Sequence, residues 1–164
     1  MSAVLELASA SIRPMDYNDI AQVVEIEASS YDFPWSSNIF SDCLRVGYCC
    51  WVLDSGGTLL GYGIMSVAAQ ESHILNLCID PKARRSGLAR ALLTHLVATA
   101  TRHGATVSFL EVRPTNEGAI KLYSDMGFSH VGTRSNYYPA KFGREDALVL
   151  SIQLNPESVP DERS

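Results

Sequence analysis

The chain has 164 residues, with 13 Lys and Arg against 18 Asp and Glu, and a formal net charge of −5. This length is typical of one domain with a real hydrophobic core. The acidic balance argues against partners such as nucleic acids or membrane surfaces, which require a broad basic field, so neither is expected. We predict a single domain at residues 10–154 and a polar, flexible tail at 155–164.

The lack of a recognisable targeting signal and the spacing of the cysteines both favour a cytoplasmic protein. No segment approaches the ~18 apolar residues of a membrane span, and the N-terminus lacks the basic start of a signal peptide. We therefore expect a cytoplasmic protein. The cysteines Cys43, Cys49, Cys50 and Cys78 follow no metal-ligand spacing, which favours buried, reduced thiols and no metal site.

The first half of the chain contains predicted strands and two helices. A short strand, SIRPM, is followed by a helix that Asp16 caps and that reaches about Ser30, and Ser36 caps a second, shorter helix. Ser55-Gly56-Gly57 joins two strands as a hairpin. A third strand, HILNLCID, ends at Pro81.

The second half begins with a central helix, which Leu88, Leu92 and Leu96 mark by their spacing and which Gly104 ends. A strand, TVSFLEVRP, a helix at Asn116–Met126 and two final strands follow. The order β-α-α-β-β-β-α-β-α-β-β predicts an α/β fold with a mixed sheet and helices on both faces.

The junction between the third strand and the central helix carries the first functional signal, DPKARRSGLARALL. Arg84, Arg85 and Arg90 flank Gly87 at the start of a helix, where the first amides lack internal partners. A strand, a glycine-containing loop and a helix N-terminus together predict a site for the phosphate groups of a small anionic ligand. A solvated helix start with scattered arginines is the alternative, and the charges alone do not decide between them.

Two ionisable residues in the second half are ambiguous by spacing. Glu111, between Leu110 and Val112, is either a charge at a sheet edge or a buried carboxylate that can act as a base. Tyr123 shares a helical stripe with Ile120, which makes it a core tyrosine by periodicity. Spacing alone favours the structural interpretation for both residues.

The pattern from Arg84 to Ala89, R-x-x-G-x-A, resembles the coenzyme-A loop of the GNAT acetyltransferases, and the element order from about Ile12 to Leu154 is similar to that family's fold. The resemblance implies a mostly antiparallel sheet with splayed central strands and acetyl-CoA as the co-substrate. It places the pyrophosphate on amides from Arg85 to Arg90, and the pantetheine arm and thioester on the backbone of the preceding strand. A covalent acetyl-cysteine at Cys78 is disfavoured, because the family transfers the acetyl group directly.

A longer stretch, LEVRPTNEGAIKLYSDMGF, resembles the signature of the ribosomal-protein-alanine N-acetyltransferases within that family, the RimI-like branch. This resemblance reverses both structural interpretations: Glu111 becomes the general base, and Tyr123 the acid that protonates the coenzyme-A sulfur. Asn116 matches the asparagine that contacts the cofactor arm. The implied cofactor-binding residues are Leu77, Cys78, Ile79, Arg84, Arg85, Ser86, Gly87, Leu88, Ala89, Arg90 and Asn116.

Two aromatic segments, FPWS (Phe33–Ser36) and RSNYYPAKFGREDALVL (Arg134–Leu150), resemble the same branch. Their ordinary interpretation is an aromatic plug and a hairpin loop. The resemblance implies instead that Trp35, Tyr137 and Tyr138 form a pocket rim that holds a peptide N-terminus, with the two segments facing each other across the thioester. Ser86 departs from relatives that often carry Gln, Gly or Lys, which matters little where the backbone amide binds the ligand.

The resemblance therefore implies an enzyme that acetylates the N-terminal alanine of a protein, with a small-subunit ribosomal protein as the leading acceptor. One alternative is a GNAT enzyme that acts on lysine or on a small-molecule amine, against which the pair Tyr137-Tyr138 argues. The other is a non-catalytic partner subunit that binds coenzyme A, against which the presence of Glu111 and Tyr123 argues.

Overall fold

The computed structural model describes residues 10–155, and residues 156–164 of the predicted tail lie outside the described residues. The elements follow the order predicted from the sequence. The strands are β1 (Ser11–Pro14), β2 (Cys49–Ser55), β3 (Thr58–Ala68), β4 (Glu71–Ile79), β5 (Val107–Val112), β6 (Ser129–Pro139) and β7 (Arg144–Gln153). The helices are α1 (Ile20–Ser30), α2 (Ser37–Arg45), α3 (Leu88–Arg102) and α4 (Glu117–Asp125), with short 3₁₀ turns at Tyr17–Asp19 and Pro81–Ala83.

The strands form a seven-stranded sheet in the order β1-β2-β3-β4-β5-β7-β6. β4 and β5 are parallel and pair Glu71–Ile74 with Val107–Leu110, and both strands continue beyond that ladder. The pairs β1–β2, β2–β3, β5–β7 and β6–β7 are antiparallel. The predicted fold class, a mixed and mostly antiparallel α/β sheet, is confirmed.

The structure divides into two compact units, and the boundary falls within β4 and within α3. The first unit holds the described residues up to Ser66 together with Asn76–Leu96. Its core packs the end of β4 against the start of α3, where the leucines predicted to mark the helix face are buried. One buried cluster of this unit consists of Leu53, Leu60, Ile79, Leu88 and Leu92.

The second unit holds Val67–Leu75 and the described residues from Val97 onward. It contains the three strands β5, β7 and β6, the helix α4 and the first part of β4. Alternate residues of β5 are buried, as expected for a strand with one face in a core. Buried side chains of this unit include Leu110, Val112, Tyr123, Phe128 and Leu150.

All three predicted helix caps are confirmed. The side chains of Asp16, Ser36 and Asn116 each accept a hydrogen bond from a backbone N–H two or three residues further along the chain. The first turn after Asp16 is a 3₁₀ turn rather than α-helix. The carboxylate of Asp19 accepts from the Asp16 N–H and from Arg13, and these contacts hold that turn in place before α1 begins.

Two hairpin turns of equal length differ in their chemistry. Gly56 and Gly57 connect β2 to β3 with φ of 62° and 96°, the left-handed conformations that a two-residue turn requires and that glycine adopts without a steric penalty. Ala69 and Gln70 connect β3 to β4 with φ of 52° and 66°, although neither is glycine. The sequence indicated the first turn and gave no sign of the second.

Candidate active site

The segment Asp80–Gly87, called the anion loop below, lies in the first unit and is fixed by its own contacts. The Asp80 carboxylate accepts from the Lys82 N–H at 3.0 Å and caps the 3₁₀ turn. Arg84 Nε donates to the carbonyl of Ile79 at 3.1 Å, and the Ser86 hydroxyl donates to the carbonyl of Ala83 at 2.5 Å. The Ser86 side chain therefore stabilises the conformation of the loop itself.

The backbone of the anion loop adopts two left-handed conformations. Gly87 has φ of 82°, and a Cβ at this position would meet nothing within 4 Å, so the conformation rather than crowding requires the glycine. Arg85 has φ of 63°. A non-glycine residue in this region is strained by about 1 kcal/mol or more, and such strain concentrates at ligand-binding sites.

Helix α3 begins directly after the anion loop, at Leu88. The N–H of Ala91 donates to the carbonyl of Gly87, so the amides of Leu88, Ala89 and Arg90 precede the first α-helical hydrogen bond. The side chains of Arg84, Arg85 and Arg90 are exposed, whereas Leu88 is buried in the core. Amide donors, the positive end of a helix dipole and exposed guanidinium groups fit the pyrophosphate of coenzyme A.

The end of β4 precedes the anion loop and packs closely on β3 within the first unit. A Cβ added at Gly61 would lie 2.7 Å from the carbonyl oxygen of Cys78, which explains the glycine by close approach. Cys78 and Ile79 are buried, and the Cys78 thiol contacts the Ser30 hydroxyl at 3.2 Å. The Cys78 side chain therefore packs against α1, while Leu77 is half-buried.

The loop between α1 and α2 contains the predicted aromatic rim of the first unit. Phe33 is 45% exposed, whereas Trp35 is half-buried and its ring lies 5.4 Å from that of Phe40. The N–H of Trp35 donates to the carboxylate of Glu27 at 2.8 Å. The backbone of this exposed loop is therefore anchored to a side chain of α1.

In the second unit, Glu111 is surrounded by two basic side chains, and we call His73, Glu111 and Arg134 the Glu111 cluster. Glu111 Oε2 is hydrogen-bonded to His73 Nε2, and Oε1 lies 3.6 Å from Arg134 Nε. The Glu111 side chain is 8% exposed, and that of His73 is 33% exposed. A nearly buried carboxylate thus contacts a partly exposed imidazole, which can exchange protons with solvent.

Tyr138 lies beside this cluster. Burial raises the pKa of Tyr138, and the negative charge of Glu111 raises it further. The guanidinium of Arg113 lies 4.4 Å from the centre of the Tyr138 ring, and that of Arg134 lies 5.1 Å from the centre of the Tyr137 ring. Both predicted rim tyrosines are therefore stacked with arginines, and Tyr138 remains a protonated hydroxyl at neutral pH.

Tyr123 and Asn116 lie at opposite ends of α4. Tyr123 is 8% exposed, and its ring centre lies 5.8 Å from that of Phe128. Burial is what periodicity predicted, although Tyr123 also interacts electrostatically with Tyr138. Asn116 accepts from the Ala119 N–H at 3.2 Å, so its side-chain oxygen caps the helix.

Sequence reasoning missed three residues of these arrangements. His73 lies in no motif, and Arg134 was noted only as the first residue of the segment RSNYYPAKFGREDALVL; β4 and β6 bring these two side chains to Glu111. Glu27 shares the helical spacing of the apolar residues Ile20 and Val23 in the sequence of α1. Its signal was a charged residue at a core position of an amphipathic helix, which indicates a partner when the residue is buried.

The described residues contain neither a metal-binding cluster nor a membrane-spanning helix. Within residues 10–155 there is no group of three or more His, Cys, Asp or Glu side chains that could hold a metal ion. No helix among those residues is long and apolar enough to cross a membrane. The four cysteines, all in the described part of the chain, are free thiols.

Comparison with known proteins identifies similar sequences and structures. A sequence model of the acetyltransferase (GNAT) family matches residues 16–128. The [ribosomal protein bS18]-alanine N-acetyltransferase of Escherichia coli (strain K12) is 34% identical over 145 residues, which is 88% of this chain and 98% of that protein. The crystal structure of the ribosomal-protein-S18-alanine N-acetyltransferase from Escherichia coli has a TM-score of 0.83 at 32% identity, and the match covers 94% of this chain and 98% of that one.

A more distant structure is similar in fold alone. The structure of yncA from Salmonella typhimurium, with its cofactor acetyl-CoA, has a TM-score of 0.75 at 23% identity. The match covers 93% of this chain and 98% of that one.

Proposed function

The chain belongs to the acetyltransferase (GNAT) family, and from this we propose that it transfers an acetyl group from acetyl-CoA to the N-terminal alanine of a small-subunit ribosomal protein. One observation carries the proposal: the match to the alanine N-acetyltransferase of Escherichia coli spans 98% of that protein. Residues 10–154 would act as one acetyltransferase domain, because the family match runs through both units. The reaction would occur in the cytoplasm, where ribosomal proteins are made.

The cofactor-binding residues come from β4, the anion loop and α3. The backbone of Leu77, Cys78 and Ile79 would hold the pantetheine arm, and the amides of residues 85–90 the pyrophosphate, with Arg84, Arg85 and Arg90 supplying positive charge. Ser86, Gly87, Leu88 and Ala89 would contribute their backbone amides. The side-chain nitrogen of Asn116 would contact the cofactor arm, because its oxygen caps α4.

In this proposal, two residues of the second unit, Glu111 and Tyr123, transfer the protons. Bound acetyl-CoA supplies the thioester carbon that the amine attacks and the coenzyme-A sulfur that leaves. The α-amine of a peptide has a pKa near ~8 and is largely protonated at neutral pH, so Glu111 would remove that proton, directly or through water. Tyr123 would donate its hydroxyl proton to the departing sulfur. The imidazole of His73 contacts Glu111 and can pass the proton on to solvent.

The acceptor peptide would contact aromatic side chains. Trp35, Tyr137 and Tyr138 offer flat apolar faces and hydroxyls that suit a small N-terminal residue and the first peptide bonds. Tyr137 is 41% exposed and therefore accessible to a peptide. A long, strongly hydrated lysine ammonium gains less from such faces.

The test uses two peptides with purified protein and acetyl-CoA. One peptide begins with a free alanine and contains no lysine, and the other is blocked at its N-terminus and contains internal lysines. We expect acetylation of the first only, measured by mass spectrometry. Equal acetylation of the blocked peptide would support a lysine acetyltransferase, and acetyl-CoA binding without acetylation of either would support a non-catalytic subunit. Mass spectrometry of protein N-termini with the gene deleted and restored then identifies the acceptor.

A further inference from the structure

Glu27 is a buried carboxylate for which the chemistry proposed above has no use. It lies near the end of α1, and only 2% of its surface is exposed. Burying a carboxylate is unfavourable unless hydrogen-bond donors converge on it. Its partners therefore indicate what the side chain does.

Three neutral donors, from three different segments of the first unit, converge on Glu27. Its Oε2 accepts from the backbone N–H of Trp35 at 2.8 Å. Its Oε1 accepts from the hydroxyl of Tyr62 on β3 at 2.5 Å and from the side-chain nitrogen of Asn76 on β4 at 2.9 Å. The carboxylate thus joins the loop before α2 to two strands, and both of its oxygens are engaged.

The ring of Trp35 packs on aromatic side chains of the core. The Trp35 ring contacts that of Phe40 at 5.4 Å between centroids, and Phe40 contacts Tyr62 edge-on at 5.5 Å. Tyr62 and Phe40 are fully buried. Trp35 therefore has a defined position although the neighbouring Phe33 is exposed.

The residue of β4 that contacts Glu27 lies next to the segment proposed to hold the cofactor arm. Asn76 directly precedes Leu77 on β4. The beginning of the loop is tied to the same strand, because the Tyr31 hydroxyl lies 3.4 Å from the carbonyl of Leu77 and the Cys78 thiol contacts Ser30. The hydrogen bonds of Glu27 to Trp35 and Asn76 therefore connect the loop between α1 and α2, residues 31–36, called the Trp35 loop, to the same strand.

We propose that Glu27 is a positioning residue for acceptor binding: it holds the Trp35 loop in a fixed place on β4 before any peptide arrives. A loop without this anchor has to be ordered during binding, and that loss of entropy weakens the affinity. The inference deepens the proposed function and rests on it, because it assigns Trp35 to the acceptor site. It requires the hydrogen bonds of Glu27 rather than its negative charge.

Two substitutions separate hydrogen bonding from charge. In Glu27→Gln, the amide oxygen can still accept from the Trp35 N–H, a donor that cannot change its role. The Tyr62 hydroxyl and the Asn76 amide can turn to accept from the new NH₂ group, so the anchor survives without the charge. In Glu27→Leu, the size is similar, but the Trp35 N–H loses its acceptor.

The experiment measures steady-state kinetics with the alanine peptide, together with the Kd of acetyl-CoA. For Glu27→Leu we expect the peptide KM to rise by about tenfold or more, with kcat and the acetyl-CoA Kd within about threefold of the original values. For Glu27→Gln all three should stay within about threefold. Glu25→Gln, which changes an exposed carboxylate of the same helix, is the matched control and should change nothing.

Hydrogen exchange gives a readout that needs neither activity nor a variant. The Trp35 amide of the unaltered protein should exchange more slowly than the amide of Phe33, and exchange at the same rate would overturn the proposal. An equal KM increase in Glu27→Gln and Glu27→Leu would also overturn it, because the charge itself would then be required. Failure of the unaltered protein to acetylate any alanine peptide would refute the proposed function instead, while the exchange of the Trp35 amide would still decide whether Glu27 anchors the loop.

Discussion

The anion loop takes its donors from one continuous stretch of backbone, whereas the Glu111 cluster takes its side chains from β4, β5 and β6. The loop depends on two left-handed residues, Arg85 and Gly87, and on the start of a helix. The cluster depends on strand register, because a shift of one residue would turn Glu111 to the other face of the sheet. A site built from backbone is expected to tolerate many side-chain changes, whereas a cluster of side chains is expected to be more sensitive to them.

The largest effect is expected where the cluster loses its carboxylate. Glu111→Gln should lower kcat by about 10²–10⁴-fold, because an amide cannot accept the proton of the amine. The acetyl-CoA Kd should stay unchanged, since the proposed pyrophosphate site is made of backbone elsewhere. Activity assays with the alanine peptide measure kcat, and calorimetry measures the acetyl-CoA Kd. Glu117→Gln, which alters an exposed carboxylate at the start of α4, is the control, and similar losses in both variants would contradict the assignment.

Tyr123→Phe should lower kcat by about 10²-fold or more, because it removes the proposed proton donor to the sulfur and leaves the ring in the core. The ring packing against Phe128 should be preserved. The measurement is kcat with acetyl-CoA and the alanine peptide. A turnover within threefold of the original would show that water or another group protonates the sulfur.

On the side of the anion loop, Gly87→Glu should weaken acetyl-CoA binding by about 100-fold, because it places a negative charge at the proposed pyrophosphate site and strains a residue at φ of 82°. Calorimetry measures the affinity. Gly104→Glu is a matched control, because Gly104 has φ of 87° and open space around its Cβ position but follows the far end of α3. Equal loss in both variants would attribute the effect to strain alone.

A smaller effect is expected from the partner of Glu111. His73→Leu should lower kcat by about tenfold, because Glu111 loses the group that orients Oε2 and that is in contact with solvent. Arg134→Leu should have less effect, since its distance from Glu111 is 3.6 Å and its side chain is 53% exposed. The ratio of the two kcat values is the measurement. An equal effect would indicate that charge rather than the imidazole contact supports Glu111.

The smallest effect is expected on the stability of the fold, from Glu145 on β7. Hydrogen bonds from Thr115 hold the pKa of Glu145 below its ordinary value of 4.5, with Arg113 contributing. The carboxylate therefore stabilises the fold above about pH 4.5 and loses that contribution as the pH falls through its lowered pKa. Glu145→Gln should lower the thermal midpoint by at most about 3 °C at pH 6, and by less as the pH falls through the lowered pKa of Glu145. A difference that grows towards pH 3 would reverse the sign and contradict the contact.

The sequence predicted those features of the fold that depend on residues close together in the chain. Caps at Asp16, Ser36 and Asn116, the turn at Gly56-Gly57 and the stripe of leucines in α3 each depend on neighbours within one or two turns of the chain. The anion loop belongs to the same class, because strand, loop and helix follow one another directly. These elements were therefore predicted with nearly correct bounds.

What the sequence did not predict depends on pairing between distant strands. His73 aligns with Phe109 in the parallel ladder, and Arg134 aligns with Ala147 across β6 and β7, so neither residue has a spacing that points to Glu111. The contacts of Glu27 with Tyr62 and Asn76 also join segments that are distant in the sequence, here a helix and two strands. For Tyr123 the two interpretations do not exclude each other, since a tyrosine whose ring is buried in the core still carries a hydroxyl group that can donate a proton.

The parallel ladder between β4 and β5 has a consequence for folding kinetics. β6 and β7 are neighbours in the chain and can pair by closing a short turn, which takes microseconds. β4 and β5 are separated by the whole of α3, so their ladder must first close a long loop and forms more slowly. His73 and Glu111 lie on these two strands, and their contact therefore assembles only in that slower step. After dilution from denaturant, strand content should return before the enzyme can turn over.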